Sequence, residues 1–102
     1  MRYETLAAPS QAQLTTVASL AFTEGPAYHA DGSVFYSDIL NNRIMRWTPD
    51  GNNVVWREPS NRTNGQTFDS QGRLLHCEGA EFGAQEGGRR ITRTNLESGE
   101  YE

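Results

Sequence analysis

The chain has 102 residues, with 13 acidic and 9 basic side chains and a formal net charge of -4 at pH 7. A chain of this length forms at most one small domain. Nucleic-acid binding is not expected, because a phosphate backbone is held by clustered positive charges and the sequence has no long cluster of Lys or Arg.

No apolar run reaches the roughly 20 residues that span a bilayer, so no membrane partner is expected. The residues after Met1 lack the basic and then apolar order of a signal peptide. Cys77 is the only cysteine, which leaves no intrachain disulfide and favours a reducing compartment. We therefore expect a cytoplasmic protein.

Residues 1–13 show no clear hydrophobic period and are interpreted as a lead-in segment. From residue 14 onward, short runs rich in β-branched and aromatic residues alternate with turn residues, which is typical of strands. After a leading strand within 14–22, the runs are Val34–Tyr36, Arg43–Trp47, Asn53–Trp56, Leu74–Cys77 and Arg90–Thr94. The hairpin signals between and after them are Asp31-Gly32, Asp50-Gly51, Gln71-Gly72 and Ser98-Gly99. No stretch has a convincing helix period, so the sequence predicts an all-β fold.

The sequence also repeats itself. At a shift of 40 residues, Glu24–Pro26 aligns with Asn64–Gln66 and Val34–Asp38 aligns with Leu74–Glu78. The match resumes at a shift of 47, so the second copy has seven additional residues after Glu78. A unit of about 40 residues with four short strands is typical of a propeller blade.

We therefore predict about two four-stranded antiparallel blades of an incomplete β-propeller within residues 14–102. The first blade spans 24–58, and most of a second spans 64–102. A blade cannot bury both of its faces alone and needs neighbours. A small self-contained β-sandwich or barrel is the alternative, because two copies of a repeat can also arise by coincidence.

Four groups of segments share an order and spacing with a known family. They are Phe22–Ala27; Val34–Ile39 with Asn42–Ile44; Asn61–Gly65 with Phe68–Asp69 and Gly72–Leu74; and Cys77–Glu78 with Arg89–Arg93. Together they resemble the gluconolactonase and senescence-marker-protein (regucalcin-like) family. The resemblance implies a six-bladed β-propeller with one divalent metal in its central channel, of which this chain is an N-terminal part.

The resemblance also implies a site. Glu24 would be a metal ligand, and Arg62 and Asn64 would lie at the substrate pocket. In phosphotriesterase-like relatives the residue that matches Asn64 also binds the metal, so Asn64 is assigned both roles. The remaining ligands of the family, an Asn and an Asp, come from later blades beyond residue 102. The metal would be Ca²⁺ or Zn²⁺, with Mg²⁺ possible, and no catalytic acid or base is assigned.

The residues themselves fit this chemistry. Glu24 and Asn64 occupy the same repeat position, so their oxygens would project from equivalent places on neighbouring inner strands, as hard cations require. A metal held there would polarise a lactone carbonyl and lower the pKa of a bound water. Arg62 would orient a polyhydroxy substrate through directed hydrogen bonds.

The predicted function is thus the N-terminal part of a metal-dependent hydrolase that opens a sugar lactone or a related ester. The 102-residue chain by itself is expected to be inactive. Two alternatives stay open: a propeller used only for binding, and a small self-contained β interaction module. The oligomeric state is not predicted.

Each site residue also has an ordinary structural explanation. Glu24 would then be a solvated glutamate before a turn, Asn64-Gly65 a type I′ turn, and Arg62 a surface residue.

Other candidates are interpreted structurally. His76 matches Tyr36 in the repeat and is predicted to be a packed strand residue. Cys77 is predicted to be buried as a small apolar group. Trp47 and Trp56 are predicted to fill the space between blades. Asp38 and Glu78 match in the repeat and are predicted to cap turns.

The additional segment 79–88 follows the second strand of the second blade. In an antiparallel meander, that strand ends on the edge where the first strand begins. The segment should therefore lie on the metal face. We hypothesise a gate or specificity loop in which Phe82 covers the pocket.

Overall fold

The computed structural model describes residues 20–79 and 88–102. The described residues form seven strands and contain no helix that is long and apolar enough to span a bilayer. The strands are β1 Thr23–Tyr28, β2 Val34–Asp38, β3 Arg43–Trp47, β4 Asn53–Arg57, β5 Gln66–Phe68, β6 Leu74–Glu78 and β7 Arg90–Thr94. The lead-in segment and most of the predicted leading strand lie outside the described residues.

The strands form two antiparallel sheets. One has four strands in the order β1-β2-β3-β4, and the other has three in the order β5-β6-β7. In the second sheet, a single bridge between Thr94 and Tyr101 stands where a fourth strand would pair. The prediction of an all-β, incomplete propeller is confirmed, with one complete blade and one that lacks a full outer strand.

The strand register reproduces the sequence repeat. In the first sheet, β2 and β3 pair from Val34–Trp47 to Asp38–Arg43. In the second sheet, β6 and β7 pair from Leu74–Thr94 to Glu78–Arg90. Each pairing therefore ends on an acidic residue opposite an arginine, although the second connection is seven residues longer.

The first hairpin turn of each sheet is also equivalent. The carbonyl of His29 accepts a hydrogen bond from the Gly32 amide at 2.9 Å, and the carbonyl of Asp69 accepts one from the Gly72 amide at 3.0 Å. Gly32 and Gly72 have φ of 92° and 78°, in the left-handed region that glycine reaches without a steric cost. These two turns therefore connect the first and second strands of both blades in the same way.

The core lies between the two sheets. It is built from Ala27, Phe35 and Leu74, with Trp56, Phe68 and Leu96 packed around them. The rings of Phe35 and Trp56 meet edge to face, with centroids 5.1 Å apart, a geometry that aromatic pairs prefer. The predicted inter-blade role of Trp56 is confirmed.

Trp47, by contrast, does not lie between these two sheets and is 39% exposed, so its predicted inter-blade role stays a prediction. Trp47 pairs directly with Val34, whereas the core residue on that strand is the next one, Phe35. Because successive side chains of a strand point to opposite faces, Trp47 lies on the face turned away from the second sheet.

Candidate functional site

The starts of the inner strands β1 and β5 lie side by side. Glu24 and Gly25 are on β1, and Asn64 and Gly65 immediately precede β5. A Cβ atom placed on Gly25 would stand 2.0 Å from the Asn64 carbonyl oxygen and 2.9 Å from the Gly65 Cα. We call the edge of the sheets formed by these four residues the rim. The backbones of the two predicted metal ligands therefore lie together at the rim.

Three hydrogen bonds fix the Asn64-Gly65 backbone, and two of them are made by Asn64. Its amide donates to the Cys77 carbonyl at 2.9 Å, and its carbonyl accepts from the Ser37 hydroxyl at 2.8 Å. The Cys77 amide donates to the Gly65 carbonyl at 2.9 Å. Neither Asn64 nor Gly65 has a positive φ, whereas a type I′ turn requires one at both central residues. The turn explanation for Asn64-Gly65 is thereby excluded.

In the described part of the chain, the side chains of Glu24 and Asn64 have no hydrogen-bond or ion-pair partner, neither in another side chain nor in the backbone. Glu24 is exposed and borders a depression of about 380 Å³ lined also by Thr23, Pro26, Val34 and Tyr36. Two oxygen donors, one of them charged, are thus available at the rim, and this donor chemistry fits a hard divalent cation.

In residues 20–79 and 88–102, the rim included, there is no group of three or more His, Cys, Asp or Glu side chains that could hold a metal ion. A second cavity of about 410 Å³ lies between the sheets at the opposite end from the rim. Residues of the hairpin turns line it, together with core side chains: His29, Phe35, Arg46, Trp56, Gln71, Gly72, Arg73, Asn95, Leu96 and Glu97. This cavity is separate from Glu24 and Asn64.

Arg62 joins the two sheets at the rim. Its Nη1 donates to the carbonyls of Ile39 and Leu40, and its backbone amide donates to the Asn42 Oδ1 at 2.7 Å. Its Nε is buried without a hydrogen-bond partner in the described structure. The guanidinium is therefore engaged with the turn that follows β2, and the predicted substrate role of Arg62 stays a prediction.

The loops at the rim contain backbone strain. In the described part of the chain, three residues other than glycine have a positive φ: Asn42 at 56°, Asn61 at 50° and Arg62 at 52°. Such conformations cost on the order of 1–3 kcal/mol and persist where surrounding bonds impose them. Here Asn42 Oδ1 binds the Arg62 amide, and the Asn61 carbonyl accepts from Gly79 at 2.8 Å. Strain of this kind concentrates at functional sites.

Residues 22–102 match the family model of the SMP-30/gluconolactonase/LRE-like region. The chain belongs to this family. A search of curated proteins finds no match.

Solved structures agree with the family assignment. A gluconolactonase from Xanthomonas campestris is 34% identical, with a TM-score of 0.61 over 74% of this chain and 23% of that protein. A provisionally named gluconolactonase is 32% identical, with a TM-score of 0.67 over 99% of this chain and 33% of that protein. Virginiamycin B lyase from Staphylococcus aureus shares the fold at 20% identity, with a TM-score of 0.60 over 80% and 26% of the two chains. The chain thus spans a quarter to a third of the length of these structures.

In this family member, Asp38 and Glu78 brace the strand ends next to the rim. Burial raises the pKa of Asp38, but hydrogen bonds from Asn41, the Phe22 amide and Arg43 outweigh it and hold that pKa below its usual value. The pKa of Glu78 is lowered in the same way: burial opposes ionisation, and bonds from Thr92, Asn61 and Arg90 favour it. Both carboxylates are saturated by protein donors, as the predicted capping role requires.

The prediction that Cys77 is buried is wrong, because its thiol is exposed. Its neighbour His76 is fully buried, as predicted. Because the two residues are adjacent on β6, only one of them can face the first sheet, and that residue is His76.

The ends of the additional segment 79–88 lie at the rim. The Gly79 amide donates to the Asn61 carbonyl at 2.8 Å, and the Asn61 side chain donates to the Gly88 carbonyl at 2.9 Å. Phe82 and the rest of 80–87, where the gate was hypothesised, lie outside the described residues.

Two polar residues next to Asn64 were missed by the sequence analysis. Ser37 and Gln66 bind each other at 3.1 Å, and Gln66 also reaches the Gly25 carbonyl at 3.3 Å. The repeat aligns them with Cys77 and Pro26, which cannot make the same bonds, so the repeat contained no signal for either residue.

Proposed function

We propose that this chain forms the part of a metal-dependent lactonase propeller that supplies Glu24 and Asn64 to a divalent cation. One observation supports the proposal above the others. Gly25 lies against the Asn64 carbonyl, and the side-chain oxygens of Glu24 and Asn64 accept no hydrogen bond from residues 20–79 and 88–102. The names of two structurally similar proteins, both gluconolactonases, suggest the substrate class.

Glu24 and Asn64 offer a cation two different ligand types, a negatively charged carboxylate and a neutral amide oxygen. Ca²⁺ and Mg²⁺ accept both types, and Zn²⁺ accepts carboxylate. When bound, such a cation polarises a carbonyl as a Lewis acid.

Arg62 is proposed to help position the substrate. Its Nη1 donates to two backbone carbonyls and its Nε is buried, so the Nη2 donors are held in a fixed orientation. A planar donor that is already immobilised loses little entropy when it binds a hydroxyl group. The substrate class that fits these donors and the two oxygens is a sugar lactone or a related hydroxylated ester.

The proposal is tested in a chimera. Residues 22–102 replace the matching segment of the X. campestris gluconolactonase, and lactone opening is followed by acid release in a pH-stat with Ca²⁺, Zn²⁺ or Mg²⁺. The folded chimera should hydrolyse the lactone and lose at least about a hundredfold in rate on Glu24→Gln, the scale of losing a catalytic electrostatic group. Glu97→Gln makes the same chemical change at the opposite end of the sheets and should leave the rate unchanged.

Two results would contradict the proposal. One is a chimera that folds, as judged by circular dichroism and by the elution volume of the unmodified X. campestris enzyme, but is inactive with every cation. The other is an active chimera in which Glu24→Gln and Glu97→Gln behave alike. If the folded chimera binds lactone without hydrolysing it, the binding-only propeller is the better description.

A further inference from the structure

A continuous run of side-chain hydrogen bonds crosses the contact between the two sheets and ends at the rim. Its members, from the outside inward, are Arg57, Thr94, His76, Gln66 and Ser37, and we call them the polar chain. The successive donor–acceptor distances are 2.6, 2.9, 3.1 and 3.1 Å, and Ser37 then binds the Asn64 carbonyl at 2.8 Å. His76 and Ser37 are 0% exposed and Thr94 is 1% exposed, so the bond between His76 and Thr94 at the middle of the run is closed to water.

The inner end fixes the direction of the bonds. The Gln66 Nε2 lies within reach of two oxygens, the Ser37 hydroxyl at 3.1 Å and the Gly25 carbonyl at 3.3 Å. The other amide atom, Oε1, faces the Nδ1 of His76 at 3.1 Å. Since an amide oxygen only accepts, the Nδ1 of His76 must bear a proton.

The outer end leads to the same conclusion. Arg57 can only donate, so the Thr94 hydroxyl accepts from it and keeps its own proton for the Nε2 of His76. His76 is therefore a neutral imidazole with a proton on Nδ1 and a lone pair on Nε2, and both nitrogens are satisfied. Every bond of the polar chain donates toward the rim, and the last ones end on the carbonyls of Asn64 and Gly25.

We propose that His76 is a positioning residue, which as the Nδ1–H tautomer holds Gln66 and, through Gln66 and Ser37, fixes the Asn64 backbone against Gly25. A buried hydrogen-bond network is rigid when every donor and acceptor has a partner. It destabilises the fold when one group donates where it should accept. The bond from His76 therefore determines where the Asn64 side chain projects beside Glu24. What that side chain is positioned for rests on the proposed metal function; the positioning itself does not.

Two substitutions separate positioning from packing. His76→Asn retains a nitrogen donor at the Nδ1 position, so it keeps the bond to Gln66 and loses the bond to Thr94. His76→Gln extends an amide oxygen to the Nε2 position, so it keeps Thr94 and loses Gln66. If His76 only fills space, the larger glutamine should substitute better, whereas positioning requires that asparagine substitutes better.

The experiment is made on the 102-residue protein with isotope-labelled histidine. Long-range proton–nitrogen correlation spectra distinguish the two neutral tautomers from the charged ring, and His29→Asn assigns the signals of His76. We expect the Nδ1–H tautomer at neutral pH. A proton on Nε2, or a doubly protonated ring, overturns the proposal even if both His76 variants fail to fold.

Hydrogen exchange of two amides reports the positioning directly: the Asn64 amide, which donates to the Cys77 carbonyl, and the Cys77 amide, which donates to the Gly65 carbonyl. His76→Gln should accelerate their exchange about tenfold, the scale of one lost buried hydrogen bond, and His76→Asn should change it much less. The reverse order overturns the proposal.

Titration of calcium chloride into the same proteins separates this inference from the proposed function. If the tautomer and exchange results hold but calcium does not bind, the metal role fails and the positioning role stands. If calcium binds and its affinity falls severalfold more in His76→Gln than in His76→Asn, the positioned side chain is also the one that the cation uses. Equal affinities in the two variants, with the exchange results as expected, would show that the cation does not use the Asn64 side chain, and the metal role of Asn64 would then fail.

Discussion

Gly25 and Asn64 are in direct contact across the two sheets, and a Cβ atom on residue 25 would stand 2.0 Å from the Asn64 carbonyl oxygen. Gly25 also has a φ of 57°, in the left-handed region. Both the conformation and the close approach therefore require glycine. The contact joins the inner strands of successive blades next to Glu24, so the geometry of the rim depends on the absence of a side chain at residue 25.

Gly25→Ala should therefore destabilise the protein strongly. The alanine would meet a backbone carbonyl that Ser37 already holds, so neither partner can move without breaking a buried hydrogen bond. We expect a loss of about 3 kcal/mol in the free energy of unfolding, from the left-handed backbone and overpacking together. Urea denaturation measures it.

Gly51→Ala is the matched control for this prediction. Gly51 has a φ of 91°, but no atom lies within 4 Å of the Cβ position. It should cost only the backbone term of about 1 kcal/mol. Equal losses in the two variants would show that the contact with Asn64 does not constrain residue 25.

Asp38→Asn should destabilise the first blade. The buried Asp38 carboxylate accepts bonds from the Asn41 side chain at 2.7 Å, from Arg43 at 3.0 Å and from the Phe22 amide at 3.1 Å. An amide at this position loses the charge and turns one acceptor into a donor facing other donors, which should cost about 2–3 kcal/mol by thermal or urea unfolding.

Glu102→Gln provides the comparison, because it removes the charge from an exposed ion pair with Arg93. Exposed pairs contribute little, so the unfolding midpoint should not change measurably. A loss at Asp38→Asn no larger than that at Glu102→Gln would mean that the buried carboxylate does not brace the strand ends.

The fold was predictable because its determinants are local. The number of strands and their positions in the sequence follow from turn glycines such as Gly32 and Gly72 and from the alternating apolar runs between the turns. The equivalent pairing in the two sheets follows from the 40-residue repeat. The face that each strand buries was not predictable in the same way. Trp47 and Trp56 look equivalent in sequence, yet only Trp56 reaches the core, because burial depends on which side the next blade packs.

The candidate site was predictable as far as the repeat extends. Glu24 and Asn64 share a repeat position, and their neighbours do meet at the rim. The anchoring of Arg62 on backbone carbonyls depends on a positive φ at Asn61 and Arg62 themselves, and nothing in a sequence pattern favours that conformation at an arginine. Long-range side-chain bonds such as those of Gln66 were also beyond reach, because they join positions that the repeat treats as unrelated.

His76 should make the protein acid-sensitive. Burial, with a smaller contribution from the charge of Arg57, lowers the pKa of His76 from 6.5 to about 4. Between these values the unfolded chain binds a proton that the folded chain does not, so stability falls as the pH is lowered from 6.5 to 4. The loss attributable to His76 is at most about 3 kcal/mol.

His76→Asn removes this titration. Its free energy of unfolding, measured by urea denaturation at half-unit steps of pH, should be nearly flat between pH 6.5 and pH 5. At lower pH both curves should fall, because the carboxylates of Asp38 and Glu78, whose pKa values are lowered in the folded state, lose their contribution in both proteins. The wild-type curve should fall more steeply down to about pH 4, where folded His76 also becomes protonated. A wild-type curve that is also flat between pH 6.5 and pH 5 would show that His76 is protonated in the folded protein.

The 102-residue chain should bind divalent cations weakly, because Glu24 and Asn64 supply two of the 6–8 oxygen ligands that Ca²⁺ takes. We expect a dissociation constant for Ca²⁺ of about 1 mM or weaker by isothermal titration calorimetry. Glu24→Gln should abolish measurable binding because it removes the only charge of the pair, and Glu97→Gln at the opposite end should leave the isotherm unchanged. Submicromolar binding by the unmodified chain would mean that the coordination sphere is already complete within it. Binding that survives Glu24→Gln would place the cation elsewhere and remove the physical basis for a metal site at the rim.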